Sequence, residues 1–329
     1  MPVSPDLPVA VVTGGNRGVG REVCRQLALL GFAVVLGSRD LRKGELAVKE
    51  LDPEGARIVA CQLEVDNSIS VAAMAEWVKE RFGRTDVLVN NASTTFDRWV
   101  TASSADLGTV AEALDVNLFG PWRVIHALLP MLRSSSRPRI VNVSSEAGSI
   151  AGMTGGSPAY AVSKASLNAL TRLLAGELAR DGILVNAVCP GWPSSEARPG
   201  GRSITQAAAS VIWAVTIPNG GPTGTFTRDG QPFAWLRARV EGAASLAEDG
   251  LVGRGGSVGR DRPEEDLHVP QAGMGQVMDA LSQDRRRGTG PAQGERRPVA
   301  GSLGQADHLR QRQRQRLVVV GRDHLEDGI

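Results

Sequence analysis

The sequence predicts an α/β fold in which helices cover both faces of a doubly wound parallel sheet. Short β-branched runs alternate with longer amphipathic stretches over the first 235 residues, a pattern typical of successive βαβ units. A glycine-rich turn follows the first of these runs, as expected where a parallel sheet binds a nucleotide. The chain has 329 residues, 42% hydrophobic and 22% charged, with a formal net charge of +2, which fits a globular protein.

The order of apolar runs and turn residues predicts seven strands and six helices. The expected strands are 9–13, 33–37, 57–61, 87–90, 139–143, 183–188 and 225–227. The expected helices are 18–30, 42–50, 68–81, 108–132, 159–180 and 205–213.

Composition divides the chain at about Trp235 into a predicted folded domain, 1–235, and a tail, 236–329. All 13 aromatic residues and all four lysines precede residue 236. The tail has 15 Arg against 14 Asp plus Glu, and its low apolar content predicts disorder. Its alternating cations, Arg310, Arg312, Arg314 and Arg316, suit a solvated segment better than a nucleic-acid contact. An altered reading frame is the other interpretation of this composition.

Several classes of protein do not fit the sequence. The longest nearly apolar stretch, 27–37, has 11 residues, whereas a spanning helix needs about 20. Residues 1–8 lack the pattern of a secretory signal, so we expect a cytoplasmic protein. Cys24, Cys61 and Cys189 are far apart and lack metal-ligand spacing, so we expect reduced core thiols and no metal.

A cofactor-binding turn is predicted after the first strand, in the segment Thr13-Gly14-Gly15-Asn16-Arg17-Gly18-Val19-Gly20. Its glycines permit a tight turn and a close approach of the backbone to pyrophosphate, and a helix N-terminus follows. The second strand ends in Ser38-Arg39, where an NAD-binding fold usually has an acid. Arg17 and Arg39 therefore favour NADP over NAD, because guanidinium groups bind a 2′-phosphate. Alternatively, both are solvated surface charges.

An acid/base pair is predicted at Tyr160 and Lys164. Tyr160 is the chain's single tyrosine, and Lys164 follows four residues later, on the same face of the expected helix. A nearby cation favours the ionised phenol, whose ordinary pKa of about 10 is high for proton exchange at neutral pH. A structural Tyr beside a snorkelling Lys is the alternative for this motif alone.

Six motifs occur in one order: TGxxxGxG at 13–20, Asn90-Asn91-Ala92, Asn117, Ser144-Ser145, YxxxK at 160–164 and Pro190-Gly191. Together they resemble the short-chain dehydrogenase/reductase family, with its Rossmann fold, from about Pro8 to Trp235. The closing segment, 221–226, and Trp235 resemble the NADPH-dependent carbonyl reductase branch.

The resemblance implies an oxidoreductase that reduces a ketone or aldehyde with NADP(H). Tyr160 would exchange the proton with the substrate oxygen, and Ser145 would hydrogen-bond that oxygen. Lys164 would hold the nicotinamide ribose and lower the pKa of Tyr160, and Asn117 would position a water. Asn90 would brace the sheet beside the cofactor. The implied cofactor-binding residues are Thr13, Gly14, Asn16, Arg17, Gly18, Val19, Gly20, Ser38, Arg39, Glu64, Val65, Asn91, Ala92, Tyr160, Lys164, Pro190 and Gly191.

The sequence departs from the family pattern at three places near the implied cofactor, and Ser145 and Tyr160 are 15 positions apart, two more than usual. Glu64 replaces an Asp that contacts adenine, Ser93 replaces a Gly, and 192–195 replaces the V-x-T segment that contacts the carboxamide. There, Ser194 or Ser195 is the candidate substitute. These changes keep a second function open, a catalytically impaired NADPH-binding regulatory or scaffold protein. An inactive frameshifted product is the third interpretation.

The expected partner is a small carbonyl or alcohol. Trp99, Trp192 and the loop 149–157 would shape its site, and because they carry no charge suited to an acidic substrate, we expect a neutral, apolar carbonyl. Proteins of this resemblance commonly dimerise through the helices expected at 108–132 and 159–180, so a homo-oligomer is a further expectation.

Overall fold

The protein forms an eight-stranded sheet flanked by seven α-helices in the residues that its computed structural model describes, 7–94, 97–192 and 201–235. The strands are β1 (Val9–Val12), β2 (Ala33–Ser38), β3 (Ile58–Gln62), β4 (Val87–Asn90), β5 (Arg139–Val143), β6 (Leu184–Val188), β7 (Phe226–Arg228) and β8 (Gln231–Pro232). The helices are α1 (Gly18–Leu29), α2 (Leu41–Leu51), α3 (Ser68–Phe82), α4 (Leu107–Leu114), α5 (Gly120–Arg133), α6 (Pro158–Leu178) and α7 (Ile204–Thr216).

The strand order is β3-β2-β1-β4-β5-β6-β7-β8, and all neighbours are parallel except β7 and β8. The order reverses between β1 and β4, which leaves a crevice at the carboxyl ends of these strands. The doubly wound α/β fold is therefore confirmed. The crevice is where a ligand is expected in such a sheet.

Two apolar layers hold the helices against the sheet because the inner strands are buried on both faces. One layer joins alternate strand residues, such as Val11 and Leu88, to α3, α5 and α6. The other joins the intervening residues, such as Val12 and Val89, to α1 and α7. The strands are thus fixed on both sides, and their carboxyl ends form a rigid base for the loops that follow.

The helix expected at 108–132 is two helices, α4 and α5, joined by a π-helical segment, Asp115–Phe119. Pro121 lacks the amide that would bond to the Asn117 carbonyl in a continuous α-helix. The Gly120 amide instead donates to the Asp115 carbonyl, five residues back. The wider turn displaces the segment that carries Asn117, and such bulges are frequent at functional sites.

The sequence analysis missed β8, a two-residue edge strand that contains Pro232. The signal was the Asp229-Gly230 pair, whose φ angles of 55° and 77° suit the turn of a tight hairpin. The shortness of the strand and its proline concealed it.

Two predictions fall on parts of the chain that the structure does not describe: the tail 236–329 and the candidate contacts Ser194 and Ser195. Within the described part, no helix is both long and apolar enough to span a membrane. The three cysteines are buried and unpaired.

Candidate active site

A cavity of about 160 Å³ opens beside the carboxyl ends of β4, β5 and β6. It brings together residues from five separate parts of the sequence. Its lining residues are Val19, Asn91, Ser93, Val143, Ser144, Ser145, Tyr160, Lys164, Cys189, Pro190, Gly191 and Trp192. Seven of the predicted site residues thus meet in one place: Val19, Asn91, Ser145, Tyr160, Lys164, Pro190 and Gly191. Ser93, Ser144 and Cys189 join them.

Ser145, Tyr160 and Lys164 form the polar centre of this cavity. Ser145 follows β5, and Tyr160 lies in the first turn of α6, with Lys164 one turn later. The Ser145 hydroxyl hydrogen-bonds the Tyr160 phenol. The Lys164 ammonium lies 5.7 Å from the centroid of the tyrosine ring and donates to the Val143 carbonyl at 2.9 Å. A hydroxyl pair and a buried cation therefore face the same small volume.

The protonation of Tyr160 and Lys164 differs from the expectation that the lysine lowers the tyrosine pKa. Burial raises the pKa of Tyr160 above its ordinary value of 10.0, although the hydrogen bond with Ser145 opposes the rise. Burial also lowers the pKa of Lys164 from 10.5 to about 7. Desolvation is the largest cause of both shifts, because burial removes the solvent that stabilises each charged form. The phenol is therefore neutral at neutral pH.

Asn117, fully buried in the π-helical segment, connects the loop after β4 to α6. Its Oδ1 accepts from the Ser93 hydroxyl at 3.0 Å and from the Thr94 amide at 2.9 Å. Its Nδ2 donates to the Thr94 carbonyl and to the Ser163 hydroxyl, both at 3.0 Å, and Ser163 donates to the Tyr160 carbonyl. All four hydrogen-bonding positions of the side-chain amide thus contact protein groups.

The glycine-rich turn between β1 and α1 is held by Thr13 and Asn91. The Thr13 hydroxyl accepts from the amides of Asn91 and Ala92, and Asn91 Nδ2 donates to the carbonyls of Thr13 and Gly14. A Cβ on Gly20 would lie 2.3 Å from Asn91 Nδ2, so a side chain there would break this contact. Asn91 therefore fixes the turn from the neighbouring strand.

Gly18 opens this turn toward the start of α1. It has a φ of 57°, and a Cβ there would meet nothing within 4 Å. Among the described residues, no side chain caps the start of α1. Uncapped amides at a helix N-terminus bind anions, and the open space at Gly18 lets an anion approach them.

The structure places Arg17 and Arg39 on the surface, and neither has an ion-pair partner among the described residues. The side chain of Ser38 is buried, and its hydroxyl donates to the Asp40 carbonyl at 2.7 Å. Asp40 itself caps α2 by accepting from the Lys43 amide. The end of β2 thus presents the Arg39 cation, and the adjacent Asp40 carboxylate is hydrogen-bonded to the first turn of α2.

The remaining predicted cofactor contacts lie along the same edge of the sheet. Glu64 and Val65 follow β3, with Val65 buried and Glu64 partly exposed. A Cβ on Gly120 would lie 2.8 Å from Val65 Cγ2, which shows how closely α5 packs there. Asn16 is partly buried in the turn. Asn90 donates to Asn142 Oδ1 at 2.9 Å, bracing β4 against β5 as implied.

Glu146, a carboxylate next to Ser145, is not among the site residues that the sequence predicts. It accepts from the Trp192 indole and, at 2.6 Å, from Arg228, which also donates to Cys189 Sγ. These bonds tie the residue after Gly191 to the loop that follows β5 and to β7. Because the partners are 46 and 82 residues from Glu146, no local pattern indicates them.

Comparison with known proteins gives a consistent result. A sequence model of the short chain dehydrogenase family matches residues 8–201. The chain is 32% identical to short-chain dehydrogenase/reductase 1 of Saponaria officinalis over 281 residues, covering 66% of this chain and 92% of the relative. It is 31% identical to carbonyl reductase [NADPH] 1 of Rattus norvegicus, covering 71% of this chain and 100% of the relative.

Solved structures agree. Salutaridine reductase from Papaver somniferum superposes with a TM-score of 0.60 at 29% identity, covering 67% of this chain and 99% of that one. An NADPH-bound carbonyl reductase from chicken fatty liver superposes with a TM-score of 0.61 at 28% identity, covering 70% and 94%. With the sheet order and the convergence of Ser145, Tyr160 and Lys164, these matches show that the chain belongs to the short-chain dehydrogenase family.

Proposed function

We propose that the protein is an NADP(H)-dependent oxidoreductase that reduces a ketone or aldehyde to an alcohol, with Tyr160 as the proton donor. The observation that carries the proposal is the meeting of Ser145, Tyr160 and Lys164 in the cavity beside the glycine-rich turn. A regulatory protein that only senses a nucleotide would need no proton donor there. The relatives that the chain resembles include several reductases.

The described residues fit such a cofactor. The open space at Gly18 and the uncapped start of α1 suit a pyrophosphate. Arg17 and Arg39 are exposed cations that suit a 2′-phosphate, and Lys164 is a buried donor for ribose hydroxyls. When bound, NADPH supplies the hydride. Four of the similar proteins carry NADPH or NADP in their names or titles, which supports this choice of cofactor.

The protein's part in the reaction is to hold the carbonyl oxygen and supply its proton. Ser145 and Tyr160 both direct hydroxyls into the cavity, so each can hydrogen-bond the oxygen. The raised pKa keeps Tyr160 protonated at neutral pH, so the phenol has a proton to donate. As negative charge develops on the oxygen, the phenolic proton moves to it. The nearby Lys164 ammonium then stabilises the tyrosinate until solvent restores its proton.

The substrate that this cavity favours is a neutral carbonyl compound with an apolar body. Val143 and Trp192 supply apolar wall, and Lys164 is the only charged residue among the described lining residues. Arg228, close by, is paired with Glu146 and so is not free to bind an acidic group. Because Lys164 is assigned to the ribose hydroxyls, an acidic substrate would lose solvation in the cavity without gaining a partner.

The proposal is tested by measuring NADPH and NADH binding by fluorescence, with turnover of a panel of neutral ketones and aldehydes. Each charged hydrogen bond contributes about 1.5–3 kcal/mol, so two should favour NADPH by about 100-fold or more at low salt. Ser38→Asp with Arg39→Leu should bring the two cofactors near parity, because it adds repulsion and removes attraction. Equal binding of both cofactors by the unmodified protein would contradict the cofactor assignment. NADPH binding without any turnover would favour the regulatory function.

A further inference from the structure

The helix that carries Tyr160 begins without a cap of its own. Ser157, the residue at its N-cap position, has a φ of 52°, and its hydroxyl makes no capping bond. Pro158, the next residue, has no amide, so the Ala159 amide is the first donor of the helix. Ser, Thr, Asp or Asn at the N-cap position normally accepts from such an amide. Here another part of the chain must do so.

Asp97, 62 residues earlier, supplies this acceptor. Its Oδ2 accepts from the Ala159 amide at 2.5 Å, and its side chain is only 5% exposed. A carboxylate at this end of a helix is also favoured by the helix dipole. The other oxygen, Oδ1, is buried and has no hydrogen-bond partner. Among the described residues, the Asp97 carboxylate therefore hydrogen-bonds the Ala159 amide alone.

The segment around Asp97 is docked onto the same helix start. The Val100 carbonyl accepts from the Ser157 amide at 3.1 Å, and Thr101 forms an isolated antiparallel bridge with Gly156. Before this segment, Thr94 is held by Asn117. The loop after β4 is therefore bonded both to the π-helical segment and to the first turn of α6.

We propose that Asp97 is a positioning residue for the reaction: its carboxylate caps α6 across the chain and so sets the placement of Tyr160. Tyr160 directly follows Ala159, so any displacement of the first turn moves the phenol relative to Ser145. This inference rests on the proposed function, since the phenol's placement matters when it transfers a proton. A misplacement of about 1 Å at a reacting group costs about 100-fold in rate.

The test compares Asp97→Ala with Asp97→Asn, whose amide oxygen can still accept from Ala159. The matched control is Asp106→Ala, which removes the carboxylate that caps α4 by accepting from the Thr109 amide at 2.8 Å. We expect Asp97→Ala to lower kcat by about 10- to 100-fold and to leave the NADPH Kd within about twofold. Asp97→Asn should stay within about threefold of the unmodified protein, and Asp106→Ala within about twofold.

A second readout does not depend on turnover. Because Tyr160 is the only tyrosine, alkaline titration of tyrosinate absorbance reports this residue alone. Opening the first turn of α6 exposes the phenol, so Asp97→Ala should move its pKa back toward 10. Asp97→Asn and Asp106→Ala should leave it unchanged. This titration stays informative even if the protein reduces no carbonyl, so the two proposals can fail separately.

Three results would overturn the inference. The first is a kcat and a Tyr160 pKa for Asp97→Ala that match those of Asp106→Ala. The second is an equal loss of kcat in Asp97→Asn and Asp97→Ala, which would show that the charge of Asp97 matters and its hydrogen bond to Ala159 does not. If Asp97→Ala does not fold, the third result comes from the kcat values of Asp97→Glu and Asp97→Asn. Glu reaches one methylene further and should lower kcat at least tenfold relative to Asn, so equal rates would exclude a positional role.

Discussion

The protonation state of Tyr160 depends on its burial and on Ser145 more than on Lys164, its neighbour in the helix. Desolvation raises its pKa, and the hydrogen bond with Ser145 opposes that rise. The acid form is therefore the resting state at neutral pH, as reduction of a carbonyl requires. Oxidation of an alcohol requires the tyrosinate and should accelerate as the pH approaches the raised pKa.

The contribution of Ser145 can be measured directly, because the single tyrosine gives an unambiguous absorbance titration. Ser145→Ala should raise the pKa of Tyr160 further, since it removes a hydrogen bond that favours the ionised phenol. Ser144→Ala, a change at the adjacent residue, should leave the pKa unchanged. A lower pKa in Ser145→Ala would show that the serine stabilises the neutral phenol instead.

The sequence predicts which residues form the polar centre, but not their protonation. The spacing of Tyr160 and Lys164 and the position of Ser145 after β5 place all three groups correctly. The pKa shifts depend on how much solvent each group loses, which is set by tertiary packing. Lys164 shows this most clearly, because spacing predicts a fully charged cation and burial lowers its pKa to about 7.

At the scale of elements, the anion site proposed in the turn between β1 and α1 consists of backbone groups alone. Gly14 and Gly18 both have positive φ, but their surroundings differ. A Cβ on Gly14 would lie 2.9 Å from the Ala92 backbone, whereas one on Gly18 would point into open space. Gly14 therefore closes the turn against β4, and Gly18 keeps the approach to α1 open.

Gly18→Ala should weaken NADPH binding at least tenfold, because the new methyl group would occupy the approach to the helix amides. The matched control is Gly55→Ala, since Gly55 also has positive φ, 64°, and open surroundings but lies outside the site. Both variants should lose about 1–2 kcal/mol of stability from the left-handed backbone. Equal NADPH affinity in the two variants, measured by fluorescence titration, would argue against an anion site at Gly18.

Element prediction succeeded where periodicity is strong and failed where one residue changes the backbone. Strands β4 and β5 have the predicted bounds, because their apolar runs are bounded by clear turns. The helix expected at 108–132 was wrong in its middle, where Pro121 forces the π-helical segment. That segment carries Asn117, so the part of the helix that sequence periodicity describes least well is the part that contacts Ser93 beside the cavity.

At the scale of the whole molecule, the site depends on contacts between distant parts of the chain. Asp97 reaches Ala159, and Glu146 reaches Arg228, 82 residues away. A single sequence contains no local pattern for such pairs, whereas the doubly wound topology follows from the order of its elements. Fold and polar centre were therefore predictable, and the contacts that position them were not.

The folded unit should need no residue beyond 236. Trp235 packs against Phe226, with ring centroids 5.4 Å apart, and its carbonyl accepts from the Ala151 amide. A chain that ends at Leu236 should therefore keep its thermal unfolding transition and its NADPH affinity. Loss of either in the truncated protein, compared with the full chain by calorimetry and fluorescence, would show that 237–329 belongs to the domain.

The central claim is that Tyr160 donates the proton in an NADPH-dependent carbonyl reduction, and one comparison tests it most directly. Tyr160→Phe removes only the hydroxyl, so it should bind NADPH with an unchanged Kd while its kcat for a neutral ketone falls by about 100-fold or more. The measurement is NADPH consumption under saturating cofactor, with Kd taken from fluorescence titration of the same preparations. Equal kcat values for the two proteins would contradict the claim.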